Sequence, residues 1–329
     1  MKNVYRVNVE NNTKPEKPEL DAKMAQKPYV AVVGGINIDI GGRPYHKLIP
    51  HDSNPGTVSI SLGGVGRNIA HNLRLLDIPV CFFTAFGDDV HAYTIEKNCE
   101  ALDIDIRYAR KIPGANSPTY LFVSREDGNM EIAVSDMAVC EYITPEYIAQ
   151  YMDVINQAGA LVMDTNIPEQ TIGYLAEHCT APIFADPVSV TKAEKLRPYL
   201  SRIHTLKPNR LEAGELTGIQ ISGPVSCTQA ARRLLELGVK RVFLSLGEDG
   251  VLAAEEGFQR SYPCFPAKQQ NATGAGDAFM AGLVWSYINA KEMDETARIA
   301  SAAAAVAVES EQTINPMLSL EQIRRRYRV

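Results

Sequence analysis

From Tyr29 onward the chain reads as short apolar runs separated by amphipathic stretches. The run YVAVVGG (29–35) is β-branched, apolar and closed by glycines, the pattern of a buried strand entering a loop. Residues 57–62 (TVSISL) alternate as a half-exposed strand does. The glycines at 63–66 then open a helix carrying Ile69, Leu73 and Leu76, and residues 79–85 read as the next buried strand. From about 105 to 136 several short strand patterns follow, TYLFVS and MEIAVS among them, around an Asp127-Gly128-Asn129 turn. After this interruption the alternation is regular. ALVMD (160–164), PIFAD (182–186), IHTLK (203–207) and RVFLSLG (241–247) read as strands with helical patterns between them. Residues 274–289, 294–309 and 319–327 read as closing helices. Repeated strand–helix alternation predicts an α/β fold, a mainly parallel sheet with helices on both faces. The strand-rich pieces at about 40–62 and 105–136 predict a small β accessory on that domain.

Residues 1–27 are polar, with Asn-Asn-Thr-Lys-Pro-Glu-Lys-Pro-Glu at their centre, and read as a tail or loosely docked arm. The weak alternation in VYRVNVE makes a short edge strand the competing reading. This segment has acids early and no apolar h-region, so it is not a secretory signal. The chain's 329 residues are ample for a well-buried core, and 45% hydrophobic with 22% charged residues excludes disorder for most of it. A net charge of −6 argues against broad binding to nucleic-acid polymers or anionic membranes. No apolar run approaches the ~20 residues of a membrane helix. The six cysteines (Cys81, Cys99, Cys140, Cys179, Cys227, Cys264) are dispersed without a CxxC, which suggests reduced thiols and a cytoplasmic protein.

Four polar clusters carry candidate chemistry. Asn271-Ala-Thr-Gly-Ala-Gly-Asp277 precedes an apolar helical pattern. Glycines at a helix start let backbone N–H groups converge on an anion, and the helix dipole favours negative charge there. Asp277 in that first turn is either a helix-stabilising carboxylate or a general base beside a phosphate cradle. Gly63-Gly64-Val-Gly66-Arg67-Asn68 is neither a dinucleotide fingerprint nor a Walker A loop. It is a tight turn, or a glycine floor that lets a ligand approach the backbone with Asn68 reaching it. Asn37 and Asp39 leave the first strand on one face, suited to sugar hydroxyls if they do not merely shape a turn. Asn209 and Glu212, three residues apart at a helix start, are a cap with a first-turn acid or a polar pair organising water around Mg²⁺.

The order and spacing of these clusters resemble the ribokinase-like (PfkB) carbohydrate and nucleoside kinases over residues 28–329. The resemblance implies a doubly wound α/β domain with a β-sheet lid, built from about 40–62 and 105–136, that closes over the sugar and forms a homodimer contact. It implies ATP as phosphoryl donor and Asp277 as the base, with the N–H groups of Ala275, Gly276 and Asp277 forming the anion hole in the turn that Gly274 opens. Asn209 and Glu212 match the magnesium and phosphate motif, the ion being held through water. Ser245, Gly247, Thr273, Gly274 and Gly276 match ATP-binding positions. Asn37, Asp39, Gly63, Gly64 and Asn68 match sugar-contacting positions, and Asn166 falls where a ribose-contacting residue is expected. Asn271 and Thr273 match part of a potassium loop whose other ligands would be carbonyls around 308–315. Val65 stands where ribokinases often carry lysine. The segments DSNPG, GGVGRNIAHNL, DPVS and HTLKPNRLEA resemble bacterial pseudouridine kinases, which implies pseudouridine as the acceptor. Lys207 and Lys192 become phosphate-binding candidates, Lys192 more simply a surface lysine. Asp136, in VSDM, becomes a candidate reader of the uracil edge. The competing expectations are another sugar or nucleoside kinase of this fold (a ribokinase, an adenosine or inosine kinase, a 2-keto-3-deoxygluconate kinase) and a non-catalytic nucleoside sensor. The intact Gly-Ala-Gly-Asp argues against the sensor.

Overall fold

The valine-, isoleucine- and phenylalanine-rich runs assemble into one nine-stranded sheet. The computed structural model describes residues 28–127 and 129–327. The N-terminal arm with its possible edge strand, and Gly128 of the expected turn, lie outside the described residues.

In spatial order the strands are Phe258–Tyr262, Val251–Glu255, Arg241–Ser245, Thr205–Leu206, Ile183–Asp186, Ala160–Asp164, Val30–Val33, Val80–Phe83 and Ile104–Asp105. Pairing is parallel from Arg241–Ser245 to Ile104–Asp105, and the last two strands in sequence close one edge as an antiparallel hairpin. The chain leaves Val30–Val33 for Val80–Phe83 on one side and later returns to Ala160–Asp164 on the other. A reversal of this kind opens a crevice at the carboxyl ends of the two central strands, where open α/β sheets bind ligands.

Side-chain alternation divides the core. Val30, Val32 and Phe82 pack with Ile69 and Leu73 of the helix Val65–Leu75 and with Leu283 of the helix Ala275–Ile288. Ala31, Val33 and Met163 point the other way, onto Ile172, Leu175 and Leu216. The alanine-rich helix Met293–Ala307 lies so close to Ala275–Ile288 that a Cβ on Gly282 would come 2.7 Å from the Ala300 Cα. Five of the cysteines are buried and Cys264 is exposed. No helix among the described residues is long and apolar enough to cross a membrane.

A four-stranded sheet stands apart, in the order Gly56–Gly63, Asn37–Pro44, Thr119–Ser124, Met130–Asp136. Its boundaries differ from those the pattern suggests. It begins at Asn37, because the strand Asn37–Pro44 carries glycines that hide its alternation. A Cβ at Gly41 would lie 2.6 Å from the Phe122 ring, so glycine there admits the aromatic side chain. Residues 104–105 instead form the edge of the large sheet, and Arg110–Ile112 pairs with Ala85–Gly87 in a separate two-stranded ribbon.

Candidate active site

The crevice is built around Asp164, the last residue of Ala160–Asp164 and fully buried. One carboxylate oxygen accepts from Gly35 N at 2.9 Å and Gly66 N at 2.7 Å, and the other from Asn166 N at 2.8 Å. Burial pushes this carboxyl above its usual range, and the three N–H groups oppose that shift. Asp164 therefore ties the loop after the first strand to the start of the helix Val65–Leu75. The contact needs glycine, since a Cβ on Gly34 would lie 2.5 Å from the carboxylate. The sequence signal for Asp164 was an acid ending an otherwise apolar run.

The helix Ala275–Ile288 brings Asp277 to the same crevice. Gly274, at φ +86°, starts that helix in the left-handed region. Asp277 is only 9% exposed, and its Oδ2 accepts from the Asn68 Nδ2 at 2.9 Å. Burial, with Asp186 adding to it, pushes the carboxyl up to about 7, while Asn68 and Lys207 pull it down. That places it in the range suited to a general base at neutral pH. Lys207, 6% exposed, pairs with Asp186 at 3.1 Å. Burial works against its charge, but Asp186, Glu212 and Asp277 outweigh burial and favour the ammonium. Its Nζ also lies 3.2 Å from where a Cβ on Gly276 would stand, at the floor of the Gly-Ala-Gly turn. Asp186 was not among the sequence candidates; like Asp164, it ends a buried strand.

Asn37 and Asp39 share a face, and the Asn37 Nδ2 donates to the Asp39 Oδ1 at 2.5 Å. A Cβ on Gly63 would come 2.2 Å from Asp39, so glycine is required beside that carboxylate. Burial raises the Asp39 carboxyl, against the pull of Asn37 and Arg67. Asn166 lies against Gly35, and its Oδ1 accepts from the Lys192 Nζ at 2.6 Å. Lys192 is thus half-buried and engaged in the crevice rather than a free surface lysine. Sheet register puts Tyr120, paired with Asp39, and Phe122, paired with Gly41, on the Asp39 face. Their ring centroids are 5.8 Å apart. Asp136 pairs with Thr119, one position out of phase, and so stands on the opposite face beside Leu121 and Val134. The structure does not bring it to the other candidates.

On the remaining side, Asn209 and Glu212 form a capping box at the start of the helix Arg210–Thr217. Asn209 Oδ1 accepts from Leu211 N and Glu212 N, each at 2.9 Å, and Glu212 Oε2 accepts from Asn209 N at 2.8 Å. Burial raises the Glu212 carboxyl. Ser245 donates from its backbone N and its Oγ to Pro208 O at 2.9 and 3.3 Å, which sets Ser245 and Gly247 beside Asn209. Asn271 donates to Glu311 O at 3.0 Å and accepts from Thr273 N at 2.9 Å, so the 271–274 and 308–315 loops do meet. No group of three or more His, Cys, Asp or Glu side chains among the described residues is placed to hold a metal directly.

Residues 27–320 match the pfkB family carbohydrate kinase family. Pseudouridine kinase of Escherichia coli (strain K12) is 37% identical over 303 residues, covering 91% of this chain and 96% of that protein. An uncharacterized sugar kinase of the same organism is 32% identical, covering 91% of this chain and 83% of its own. The ribokinase structure from Thermotoga maritima superposes with a TM-score of 0.81 at 23% identity, over 91% of this chain and 98% of that one. The two motif-bearing ends of the crevice and this whole-length likeness agree: the chain belongs to the pfkB family of carbohydrate kinases.

Proposed function

We propose that this kinase transfers the γ-phosphoryl group of ATP to the 5′-hydroxyl of pseudouridine, giving pseudouridine 5′-phosphate and ADP. The observation that carries the choice of acceptor is the 37% identity to Escherichia coli pseudouridine kinase across nearly the whole of both chains. The Tyr120–Phe122 pair supports it, because an aromatic surface on the Asp39 face suits a nucleobase and serves a bare pentose little.

In this reading Asn37, Asp39, Asn68 and Asn166 hold the sugar, over Gly63 and Gly64. Asp277 takes the 5′-hydroxyl proton as the oxygen bonds to the γ-phosphorus and the bond to the ADP oxygen breaks. The N–H groups of Ala275, Gly276 and Asp277, together with the Lys207 ammonium, stabilise the moving phosphoryl. Ser245, Gly247 and Thr273 line the ATP side. The buried carboxyls Asp186, Glu212 and Asp277 surround Lys207 where a polyphosphate must also sit, an excess of negative charge that fits a divalent cation. Asn209 and Glu212 would hold Mg²⁺ through water, since their own side chains already serve the capping box. When bound, the ion would supply charge neutralisation between the phosphates. Asn271 and Thr273, against the 308–315 loop, would hold K⁺.

The four-stranded sheet would act as the lid, its Asp39 face over the nucleoside. Its other face carries Val58, Ile60, Leu121, Ile132 and Val134, each 44–73% exposed, a patch suited to pairing with a second copy of itself. The dispersed cysteines fit a cytoplasmic enzyme.

A panel assay with ATP and Mg²⁺ tests the assignment. Pseudouridine should be phosphorylated far faster than ribose or uridine. Comparable rates on ribose would make the protein a sugar kinase, and no turnover of any acceptor would favour a sensor.

A further inference from the structure

Behind the Asn68–Asp277 contact lies a buried cation. Arg67 is 5% exposed. Its Nη1 donates to the Asn68 Oδ1 at 3.2 Å and to Leu62 O at 3.3 Å, and its Nη2 donates to the Asn98 Oδ1 at 2.8 Å. Leu62 lies in the strand Gly56–Gly63 of the small sheet, and Asn98 in the helix Val90–Ala101. The guanidinium therefore joins three elements at one point behind the crevice.

A guanidinium has donors and no acceptor, so the amide atom facing it must be the Asn68 oxygen. That choice leaves Nδ2 pointing at Asp277, where it donates. With the amide turned over, an NH₂ would face the guanidinium and an oxygen would face a carboxylate. Both contacts would be repulsive in a place where no solvent screens them. Burial works against the Arg67 charge, while Cys99, Asp39 and Asp277 favour it, and an arginine remains protonated under such conditions. The orientation of Asn68 is thus fixed from behind by a permanent charge.

We propose that Arg67 is a positioning residue that locks the Asn68 amide in the orientation that donates to Asp277, and so holds the base in place for proton transfer. The inference rests on the reading of Asp277 as the base.

The test is a double-mutant cycle on the full chain, using the best acceptor from the panel, with Asp277→Asn as reference. Arg67→Met should lower kcat by about 10-fold or more, a larger factor than any rise in the acceptor KM through the sugar contact of Asn68. In the Asn68→Ala background the same change should cost almost nothing in kcat, because the group it acts through is gone. A merely structural arginine would cost the same factor in both backgrounds, and that additivity would overturn the proposal. If Asp277→Asn kept its kcat, the base reading itself would fail. If Asp277→Asn were inactive and the Arg67 effects still added, only the role of Arg67 would fail. Should Arg67→Met lose cooperative melting, Asn98→Ala takes its place, removing the Nη2 anchor from a half-buried helix position. Its fall in kcat should likewise vanish in the Asn68→Ala background, and an unchanged kcat would overturn the proposal.

Discussion

Asn68 and Asp277 are 209 residues apart in the chain and meet through a 2.9 Å hydrogen bond from the amide to the carboxylate. Asn68 sits in the helix that follows the small sheet, and Asp277 in the first turn of a helix near the end of the chain. Their contact makes one site of two glycine-rich turns, and it opposes the upward pull of burial on the carboxyl.

Asp277→Asn keeps the size of the side chain and an acceptor for Asn68, but cannot take a proton. Its kcat should fall by about 10²–10⁴-fold, the usual worth of a general base. Nucleoside affinity measured by calorimetry should stay within a few-fold of wild type. Stability should move the other way. Burial pushes the folded carboxyl up to about 7, well above an exposed one, so stability falls as pH rises from the exposed carboxyl's range to about 7 and the full cost remains above it. At pH 8 the asparagine variant should melt no lower than wild type; a clear fall in Tm would contradict the burial argument.

The same titration sets a pH profile. If Asp277 is the base proposed above, it must be ionised, so kcat/KM should rise with pH through an acid limb near 7. Asp186→Asn removes a negative neighbour and leaves Lys207 to favour the ionised form. The limb should then move to lower pH, and a shift upward would exclude Asp186 as a cause of the raised value.

Gly274 adopts φ +86°, and a Cβ there would lie 2.0 Å from Thr313 O. Gly274→Ala should lower Tm, with a strain of about 1–3 kcal/mol before the 308–315 loop is displaced. It should also raise the KM for ATP. Gly247, at φ +65°, has open space around its missing Cβ, so Gly247→Ala should cost less in paired melting curves. Equal costs would mean that the contact with Thr313 does not matter.

Tyr120→Ala and Phe122→Ala should each raise the KM for the nucleoside. Base stacking on an aromatic ring is worth about 1–3 kcal/mol, or about 5- to 150-fold. Any activity on free ribose should be nearly unaffected. Parallel losses on both acceptors would show that the pair does not contact a base.

Ile60 and Val134 stand in one cross-strand row with Ile40 and Leu121 on the exposed face of the small sheet. If this face pairs two copies as proposed, Ile60→Asp and Val134→Asp should convert the dimer to a monomer in light scattering, with little change in Tm because both side chains are already exposed. A wild-type monomer at micromolar concentration would remove this face as an interface.

The sequence by itself determined the strand–helix alternation, the anchor motifs and the family, because periodicity and glycine spacing are local properties. The acid closing ALVMD and the segment KPNRLEA could be placed at a strand end and a helix start without any fold. Tertiary structure decided which groups work together. Asp164 and Asp186 looked like ordinary strand-ending acids; their roles arise only where parallel strands set their carboxyl ends side by side. Lys192 read as a surface lysine because nothing local shows that the fold carries it to Asn166. Asp39 read as leaving the end of the first strand and Asp136 as ending a strand pattern, and only cross-strand register shows that they occupy opposite faces of one sheet. Arg67 read as part of a turn. Its burial against Asn68, Leu62 and Asn98 depends on elements that no sequence window contains together.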